Sequence, residues 1–438
     1  MLTAIRGFKD ILPQNSLLWA VIEDFARLTF RSFGFQEIRT PILEKTEVFT
    51  RGIGEHTDIV EKEMYTFTDR NGDSLSLRPE ATAGILRAVL EHNLHKEAGQ
   101  IRVFTLGPMF RHERPQKGRL RQFHQIDMEI LGPASPLADF EVIWMAWSIV
   151  NGIYEKTAQG SERPDLRLEI NSLGCPSCKP HHREDLLIFL ENRREQLCPD
   201  CQRRSLSNPL RVFDCKLEQC KNALKGAPLL RNYICPDCVE HLKLVQDALH
   251  AVNIPFVINP LLVRGLDYYS RTTFELISNE LGAQGTVAAG GRYDGLAEQM
   301  GGPHLPGVGM AIGCERLLLL AEQWAEQQPV YATDIFVAAM GDKAMQTALP
   351  WIKELRKNGV SVLMPYESKG LKALLKAADR HNATFALILG ESELQGRKAV
   401  LKDLHSHTQT EIAFESLLPE LLDILKIAKR TSNNAWKP

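Results

Sequence analysis

The placement of cysteine is the feature that most limits how this 438-residue chain can be built. Of its nine cysteines, eight fall between Cys175 and Cys238, and only Cys314 lies elsewhere. They form four close pairs: Cys175/Cys178, Cys198/Cys201, Cys215/Cys220 and Cys235/Cys238. The opening segment MLTAIRGFKDILP carries charge early and has no apolar core of a secretory signal, so a cytoplasmic location is expected. In that setting clustered cysteines favour metal ligation or reduced thiols over disulfides. Cys175-x2-Cys178-x19-Cys198-x2-Cys201 fits the spacing of a two-knuckle zinc site, and Cys215-x4-Cys220-x14-Cys235-x2-Cys238 is a looser second set. All eight are candidate ligands for structural Zn2+, with sequential or interleaved pairing open. The alternative is a helical insertion carrying reduced, buried thiols. Either way the cysteines predict a module inserted into a larger body.

The body has the texture of an ordinary globular protein, at 44% hydrophobic and 24% charged residues. Its length suits two to four domains of roughly 100–200 residues. No apolar run approaches the roughly 18–20 residues that span a bilayer, so no membrane segment is expected. A net charge of −2 excludes a uniformly basic nucleic-acid coat but permits local basic sites.

Hydrophobic periodicity divides the body. NSLLWAVIEDFARLTFRSFGF places Leu17, Leu18, Val21, Ile22, Phe25 and Leu28 at helical spacing and stops at Gly34. A short strand, EIRTP, ends at Pro41, and a helix is predicted from Ala81 to Leu94. IRVFTL and FHQIDMEIL read as strands, and a buried helix follows from Asp139. Strands resume at LLVRGLDYYSRTTFELI, TVAAGG and MAIG, followed by the helix CERLLLLAEQW. AEQQPVYATD reads as a linker, and after Asp334 a fresh strand–helix alternation predicts a compact α/β domain.

Three segments carry chemistry. RHERPQKGRLR sets Arg111, Arg114, Lys117, Arg119 and Arg121 against Glu113 in a loop between strands, a pattern suited to phosphates. In the next strand Ile126, Met128 and Ile130 face one way and Gln125, Asp127 and Glu129 the other. That polar face is either the floor of a pocket for an amine-bearing ligand or a solvent-facing edge. RGLDYYSRTTFE places Arg264 beside Tyr268 and Tyr269, as a pocket wall or as plain strand packing. The glycine-rich run through Gly307, Gly309 and Gly313 misses the dinucleotide spacing, and no P-loop is present. Small residues there suit close approach of a ligand to the backbone. Arg316 sits in the first turn of the following helix, within reach of a triphosphate.

These segments together resemble the histidyl-tRNA synthetases, which are class II aminoacyl-tRNA synthetases, along nearly the whole chain. GFQEIRTPILE, the Arg111 loop with its strands, and GMAIGCER match the class-wide motifs. RGLDYYSRTTFE, AAGGRYDGL and RPQKGRLRQFHQ match the histidine-specific ones. The resemblance implies a mixed α/β (α+β) fold: an antiparallel-sheet catalytic domain in residues 1–171 and 259–326, a cysteine-rich insertion in 172–258, and a C-terminal α/β anticodon-binding domain in 333–430. It implies that Glu80, Thr82, Gln125, Glu129 and Tyr269 surround the amino and imidazole groups of L-histidine, with Tyr268 nearby. Glu113 would read adenine and Phe123 stack on it, while Arg111 and Arg316 bind phosphates of ATP, which acts with Mg2+. Arg264 and Arg111 would be the catalytic cations, near enough to the reacting groups to count also with the histidine-binding set.

The resemblance further implies a homodimer acting on tRNA(His). Arg193, Arg194, Arg203 and Arg204 of the insertion suit the acceptor arm, or form a solvated basic surface. Lys369, Lys372, Lys376 and Arg380 recur on a predicted helix over the apolar face of Leu371, Leu374, Leu375 and Ala378. Arg119 and these lysines are the candidate tRNA contacts. The alternative is a non-catalytic relative, the synthetase-like regulatory subunit of ATP phosphoribosyltransferase. Relatives of that kind typically have an eroded ATP site and lack the last domain.

Overall fold

The computed structural model describes residues 2–54, 57–97, 99–157, 165–321, 333–367 and 369–432. The chain divides into two compact units, 1–11 with 18–325 and 12–17 with 326–438.

The larger unit is built on strands β1 (Gln36–Glu37), β2 (Leu43–Lys45), β3 (Thr66–Thr68), β4 (Ser74–Leu77), β5 (Ile101–Phe110), β6 (Gln122–Leu131), β7 (Leu166–Ser172), β8 (Val257–Ile258), β9 (Ser270–Ser278), β10 (Thr286–Arg292) and β11 (Gly307–Gly313). Eight of them form one sheet in the order β1-β5-β6-β11-β10-β9-β7-β8. The interior is antiparallel, and the two short edge strands β1 and β8 pair in parallel. The other three, β2, β4 and β3, make a small separate sheet.

One face of the large sheet is covered by the helices Pro13–Ser32, Pro136–Thr157 and Pro236–Ala251. Ile22, Ala26 and Phe30 of the first meet Phe104, Ile126 and Met128 of the sheet. Val142, Met145, Ile149 and Ile153 of the second extend the same core. Burying each of these large apolar side chains contributes roughly 1.5–3 kcal/mol. β6 therefore points Ile126, Met128 and Ile130 into this core, and its polar residues face the other side.

A charged group is sealed within the core. Arg292 is fully buried, and its guanidinium grips Asp139, Asp294 and the carbonyls of Pro133 and Ser135. Asp139 also accepts from His241 on the helix Pro236–Ala251. Burial works against the Asp139 carboxylate, but the bonds from His241 and Arg292 outweigh it and hold the group below its ordinary range. The arginine of GGRYDGL thus ties three elements together as part of the scaffold.

Several predicted elements are shorter than their sequence patterns. β1 shares only Glu37 with the expected strand EIRTP and stops ahead of Pro41. The expected strand from Leu261 begins only at Ser270. Successive residues of a strand point to opposite faces. Tyr268 and Tyr269 are instead both buried with their rings in contact at 4.6 Å, which needs an irregular backbone. The linker's residues 325–332 lie outside the described ones.

Between β7 and β8 the cysteine-rich segment folds as helices: Lys179–Glu191, Pro199–Ser207, Glu218–Ala223 and Pro236–Ala251. Its own small core joins Leu186, Leu190, Leu197 and Val212 to Cys198, Cys201 and Cys220.

The second unit is a five-stranded sheet of β12 (Thr333–Ala339), β13 (Val362–Leu363), β14 (Ala383–Leu389), β15 (Lys398–Asp403) and β16 (Gln409–Ala413), ordered β13-β12-β14-β15-β16. β12 is parallel to both neighbours, and the β14–β16 half is antiparallel. Alternation in β12 sends Ile335, Val337 and Ala339 toward the helices Asp342–Lys357 and Leu417–Ser432. Phe336 and Ala338 face Leu374 and Ala378 of the helix Leu371–Arg380. Lys372 and Lys376 lie on the exposed side of that last helix, whereas Lys369 precedes it and pairs with Glu367 at 3.0 Å.

Arg292→Ala leaves Asp139 without one of its two buried side-chain partners. It is expected to lower the unfolding free energy of the larger unit by about 3–5 kcal/mol. The check is the urea midpoint of that unit's transition; an unchanged midpoint would show that the buried pair is not a structural tie.

Candidate active site

On the face of the large sheet opposite the core lies a cavity of about 710 Å³. Its floor is formed by β6, β11 and β10, and its walls by the Arg111 loop, the start of the helix Cys314–Leu320, and residues 259–269. Glu80, Thr82, Arg111, Glu113, Arg119, Phe123, Gln125, Arg264, Tyr268, Tyr269 and Arg316 all line it. The polar face of β6 is therefore a pocket floor, since β6 lies between β5 and β11 and exposes no edge.

Glu129 sits beneath this floor. It faces Gly309 across the β6–β11 ladder, as Asp127 faces Ala311 and Gln125 faces Gly313. A Cβ on Gly309 would fall 1.6 Å from Glu129 Oε2, so the glycine's missing side chain is the space the carboxylate occupies. Gly307 is tight in the same way against the ring of Tyr293, at 2.2 Å. Gly307 and Gly309 thus make room for the protein's own side chains, while Gly309 and Gly313 also line the cavity, where the sequence pattern suggested close approach by a ligand. Glu129 accepts from Thr82 Oγ1 at 2.6 Å and from the Tyr293 hydroxyl.

Three buried acids converge here. Glu80 accepts from the backbone N–H groups of Thr82 and Ala83, both at 2.8 Å, and so anchors the N-terminus of the helix Thr82–Glu91. Burial still raises its carboxyl against those bonds. Burial also pushes Glu129 up to about 8, opposed by Thr82 and Tyr293. Asp127 is raised well above the ordinary range by burial and then by its neighbours Glu129 and Glu80. Among the described residues, Asp127 Oδ2 and Gln125 Oε1 are buried without a hydrogen-bond partner. Such a floor is suited to a ligand that brings cationic N–H donors, which satisfy the orphaned oxygens and let the acids ionise.

The opposite wall is basic. Arg111 donates to the Pro79 carbonyl at 2.9 Å and lies 5.2 Å from the centroid of the Phe123 ring. Arg316 is held on the Thr286 carbonyl, and burial lowers its basicity, reinforced by Arg119. Arg264 donates to Glu275 at 2.6 Å and lies 5.5 Å from the Tyr269 ring. Burial opposes the Arg264 charge, but Tyr269 and Glu275 outweigh it. Arg119 pairs with Glu113 at 3.0 Å. One cavity therefore offers an acidic floor and a cationic wall.

Not every basic residue singled out in the sequence is a free cation. Arg204 pairs with Asp58 at 2.7 Å, and burial of Asp58 is outweighed by that bond and by Arg211. Arg193 folds over Phe189 at 3.8 Å, and Arg203 pairs with Asp200 at 2.7 Å. Arg204 is thus an internal tie between the insertion and the catalytic body.

The cysteines fall into two quartets, and neither follows the sequential two-knuckle spacing. Cys175, Cys178, Cys235 and Cys238 form one; Cys198, Cys201, Cys215 and Cys220 form the other. The pairing is nested, with the outer pairs together and the inner pairs together.

The histidyl-tRNA synthetase family profile matches residues 7–159 and 196–317, and an anticodon binding domain profile matches 334–424. The histidine–tRNA ligase of Desulfatibacillum aliphaticivorans is 49% identical over 95% of this chain and 97% of its own. The chain belongs to the histidyl-tRNA synthetase family. The ligase of Geobacter sulfurreducens is 46% identical over 94% of this chain and 97% of its own. Among solved structures, apo Staphylococcus aureus histidyl-tRNA synthetase has 32% identity and a TM-score of 0.79, covering 96% of this chain and 100% of that one. A protein from Bacillus halodurans titled as an ATP phosphoribosyltransferase regulatory subunit/histidyl-tRNA synthetase shares the fold, at 20% identity and a TM-score of 0.63 over 89% of this chain and 99% of its own.

The synthetase's cavity also contains residues that the sequence reading did not single out as site residues. Asp127 shares the polar face that drew attention to Gln125 and Glu129. Tyr293 lies in the histidine-specific segment GGRYDGL, and Glu275 closes RGLDYYSRTTFE. Tyr293 reaches Glu129 from 164 residues away, whereas Glu275 meets Arg264 and Thr286, each 11 residues away.

The raised carboxyl of Glu129 makes a pH prediction. Its folded-state value of about 8 exceeds the ordinary 4.5, so the folded protein holds a proton that the unfolded chain releases. Its contribution to stability therefore falls as pH rises through this window. Glu129→Gln is expected to raise the thermal midpoint relative to the parent more at about pH 8 than at about pH 5. Equal shifts at both would refute a buried neutral carboxyl.

Proposed function

We propose that this chain activates L-histidine with ATP to give histidyl-adenylate and pyrophosphate, then transfers histidine to the 3′ end of tRNA(His). The observation that carries this reading is the acidic floor beside a cationic wall in one cavity, which fits one cationic and one polyanionic substrate. A regulatory subunit would have no use for the full set of Arg111, Glu113, Arg264 and Arg316.

Glu80 and Thr82 hold the amino group of histidine, and Gln125, Tyr269 and, beneath them, Glu129 surround the amino and imidazole groups, with Tyr268 nearby. Glu113 and Phe123 receive adenine, and Arg111 and Arg316 receive phosphates. A histidine carboxylate oxygen attacks the α-phosphorus, the bond to the bridging oxygen breaks, and pyrophosphate leaves with the electron pair. Arg264 stabilises the charge that grows on the α-phosphate in that step. A hydroxyl of the terminal ribose of tRNA then attacks the histidyl carbonyl carbon, and AMP leaves. Little covalent chemistry falls to the protein; positioning and fixed charge supply the acceleration.

The carboxylates beside the phosphate wall are already engaged, Glu113 by Arg119 and Glu275 by Arg264 and Thr286. Mg2+ accordingly belongs to the incoming ATP as part of the substrate. Residues 1–171 and 259–326 form the catalytic body, 172–258 the insertion, whose thiols hold structural Zn2+, and 333–430 the anticodon-binding domain. Arg119, Lys369, Lys372 and Lys376 contact tRNA, and the working enzyme is a cytoplasmic homodimer.

The test is histidine-dependent exchange of pyrophosphate into ATP, run beside other amino acids, followed by charging of purified tRNA(His). Absence of histidine-dependent exchange would sink the reading. Arg264→Ala is expected to lower kcat for exchange by roughly 10²–10³-fold while changing the histidine KM only a few-fold. Equal losses in both would overturn its transition-state role.

A further inference from the structure

The nested quartets lie against the cavity, and their geometry is that of closed metal sites. Cys175 Sγ is 3.5 Å from Cys178 Sγ and 3.9 Å from Cys235 Sγ, and Cys178 Sγ is 3.9 Å from Cys238 Sγ. In the inner quartet Cys198 Sγ is 4.0 Å from Cys215 Sγ, and within each quartet all the sulfurs lie within 4.8 Å of one another. Four thiolates about 2.3 Å from one zinc ion stand about 3.8 Å apart at the corners of a tetrahedron. A disulfide needs about 2.05 Å. These separations fit a shared ion and not cross-linked sulfur.

The surroundings supply the stabilising bonds such sites require. The Cys235 N–H points at Cys178 Sγ and the Cys198 N–H at Cys220 Sγ, both at 3.2 Å. Cys198-Pro199 and Cys235-Pro236 each start a helix, where the proline lacks an N–H to satisfy and the helix end favours a negative thiolate. Cys178 likewise caps the helix Lys179–Glu191.

Each quartet is one residue from the active-site wall. Beyond Cys178, Lys179 Nζ reaches the Tyr269 carbonyl at 2.9 Å, holding the tyrosine pair from behind. Gly174, in the left-handed region at φ +61°, lets the backbone pass Cys178, with its carbonyl accepting from Arg271 N–H at 2.8 Å. On the inner quartet Cys215 lies between Phe213, Asp214 and Lys216, all of which line the cavity.

We propose that the quartets bind two separate zinc ions, and that these ions position two walls of the histidine-activating cavity: the outer through Lys179 on Tyr269, the inner through the Phe213–Lys216 segment. This rests on the synthetase reading for its second half only; metal content is measured without reference to any substrate.

Enzyme purified without chelator is expected to carry two zinc ions per chain by elemental analysis, and Co2+-substituted enzyme to show the absorption of tetrahedral thiolate cobalt. Less than one ion per chain, or disulfides found by thiol counting under denaturation, would overturn the proposal. The double variant Cys175→Ser/Cys235→Ser is expected to lose one zinc and keep the other. Sequential pairing would lose both and refute nesting. Should that variant fail to fold, the cobalt spectrum and zinc count of the parent still decide. For the coupling, Lys179→Met is expected to keep two zinc ions and raise the histidine KM in exchange by about 10-fold with kcat within about 2-fold. Lys179→Arg restores most of it. An unchanged KM, or a loss confined to kcat, would refute the positioning role. If no amino acid supports exchange in the parent, the synthetase reading fails while the zinc count stands or falls by itself.

Discussion

A carboxylate at the centre of an eight-stranded sheet is tolerated only if its oxygens are occupied and its charge is controlled. Glu129 meets the first condition through Thr82 and Tyr293, which arrive from segments on either side of it in the chain. It fits beneath the floor because Gly309 across the ladder has no side chain. Three stretches that look unrelated in sequence, RPEATAG, FHQIDMEIL and the glycine-rich strands, therefore converge on one acid. The position of the helix Thr82–Glu91 follows, since Glu80 anchors its first amides beside the same group.

The charge condition links this floor to ligand binding. Without a cation, burial pushes Glu80, Asp127 and Glu129 alike toward their protonated forms. An ammonium or imidazolium entering the floor shifts that balance toward ionised acids, and a neutral ligand of similar size does not. Discrimination of this kind rests on leaving buried polar groups unpaired with the wrong ligand, which is the strongest form available to a small pocket. The cationic wall reaches the floor through Arg111, whose charge lowers Glu80 and Asp127 against the effect of burial.

How much of this could be read beforehand depended on the range of the interaction. The helical stripe and the alternation in FHQIDMEIL are local periodicities: Leu18 and Ile22 of the stripe enter the core with Val21 and Phe25 packed against it, Leu28 is exposed, and the polar residues of the strand face away from that core. The direction of the polar face needed the position of β6 in the sheet, which no local pattern encodes. RGLDYY lies outside the strand that begins at Ser270, and its adjacent tyrosines are both buried with their rings in contact, an arrangement that strand alternation does not give. The basic residues of the insertion misled for a related reason. Arg204 looks like a surface cation until Asp58, far away in sequence, is placed beside it. Resemblance to a family identified Arg264 and Arg316, whereas spacing alone left them ambiguous.

The cysteine pairing follows from topology. The chain leaves the sheet at β7 and returns at β8, whose residues pair in parallel as neighbours. Residues just after β7 and residues opening the helix that leads back to β8 must therefore approach one another, and these are Cys175/Cys178 and Cys235/Cys238. The inner pairs have no such constraint from the sheet and meet within the insertion's own core. Spacing rules assume that neighbouring pairs in sequence share a site, which holds for a module standing alone. An insertion whose two ends are pinned to adjacent strands joins its first and last pairs instead. The outer quartet is thus the stem of the insertion, and the inner one the anchor of the loop it carries back to the cavity.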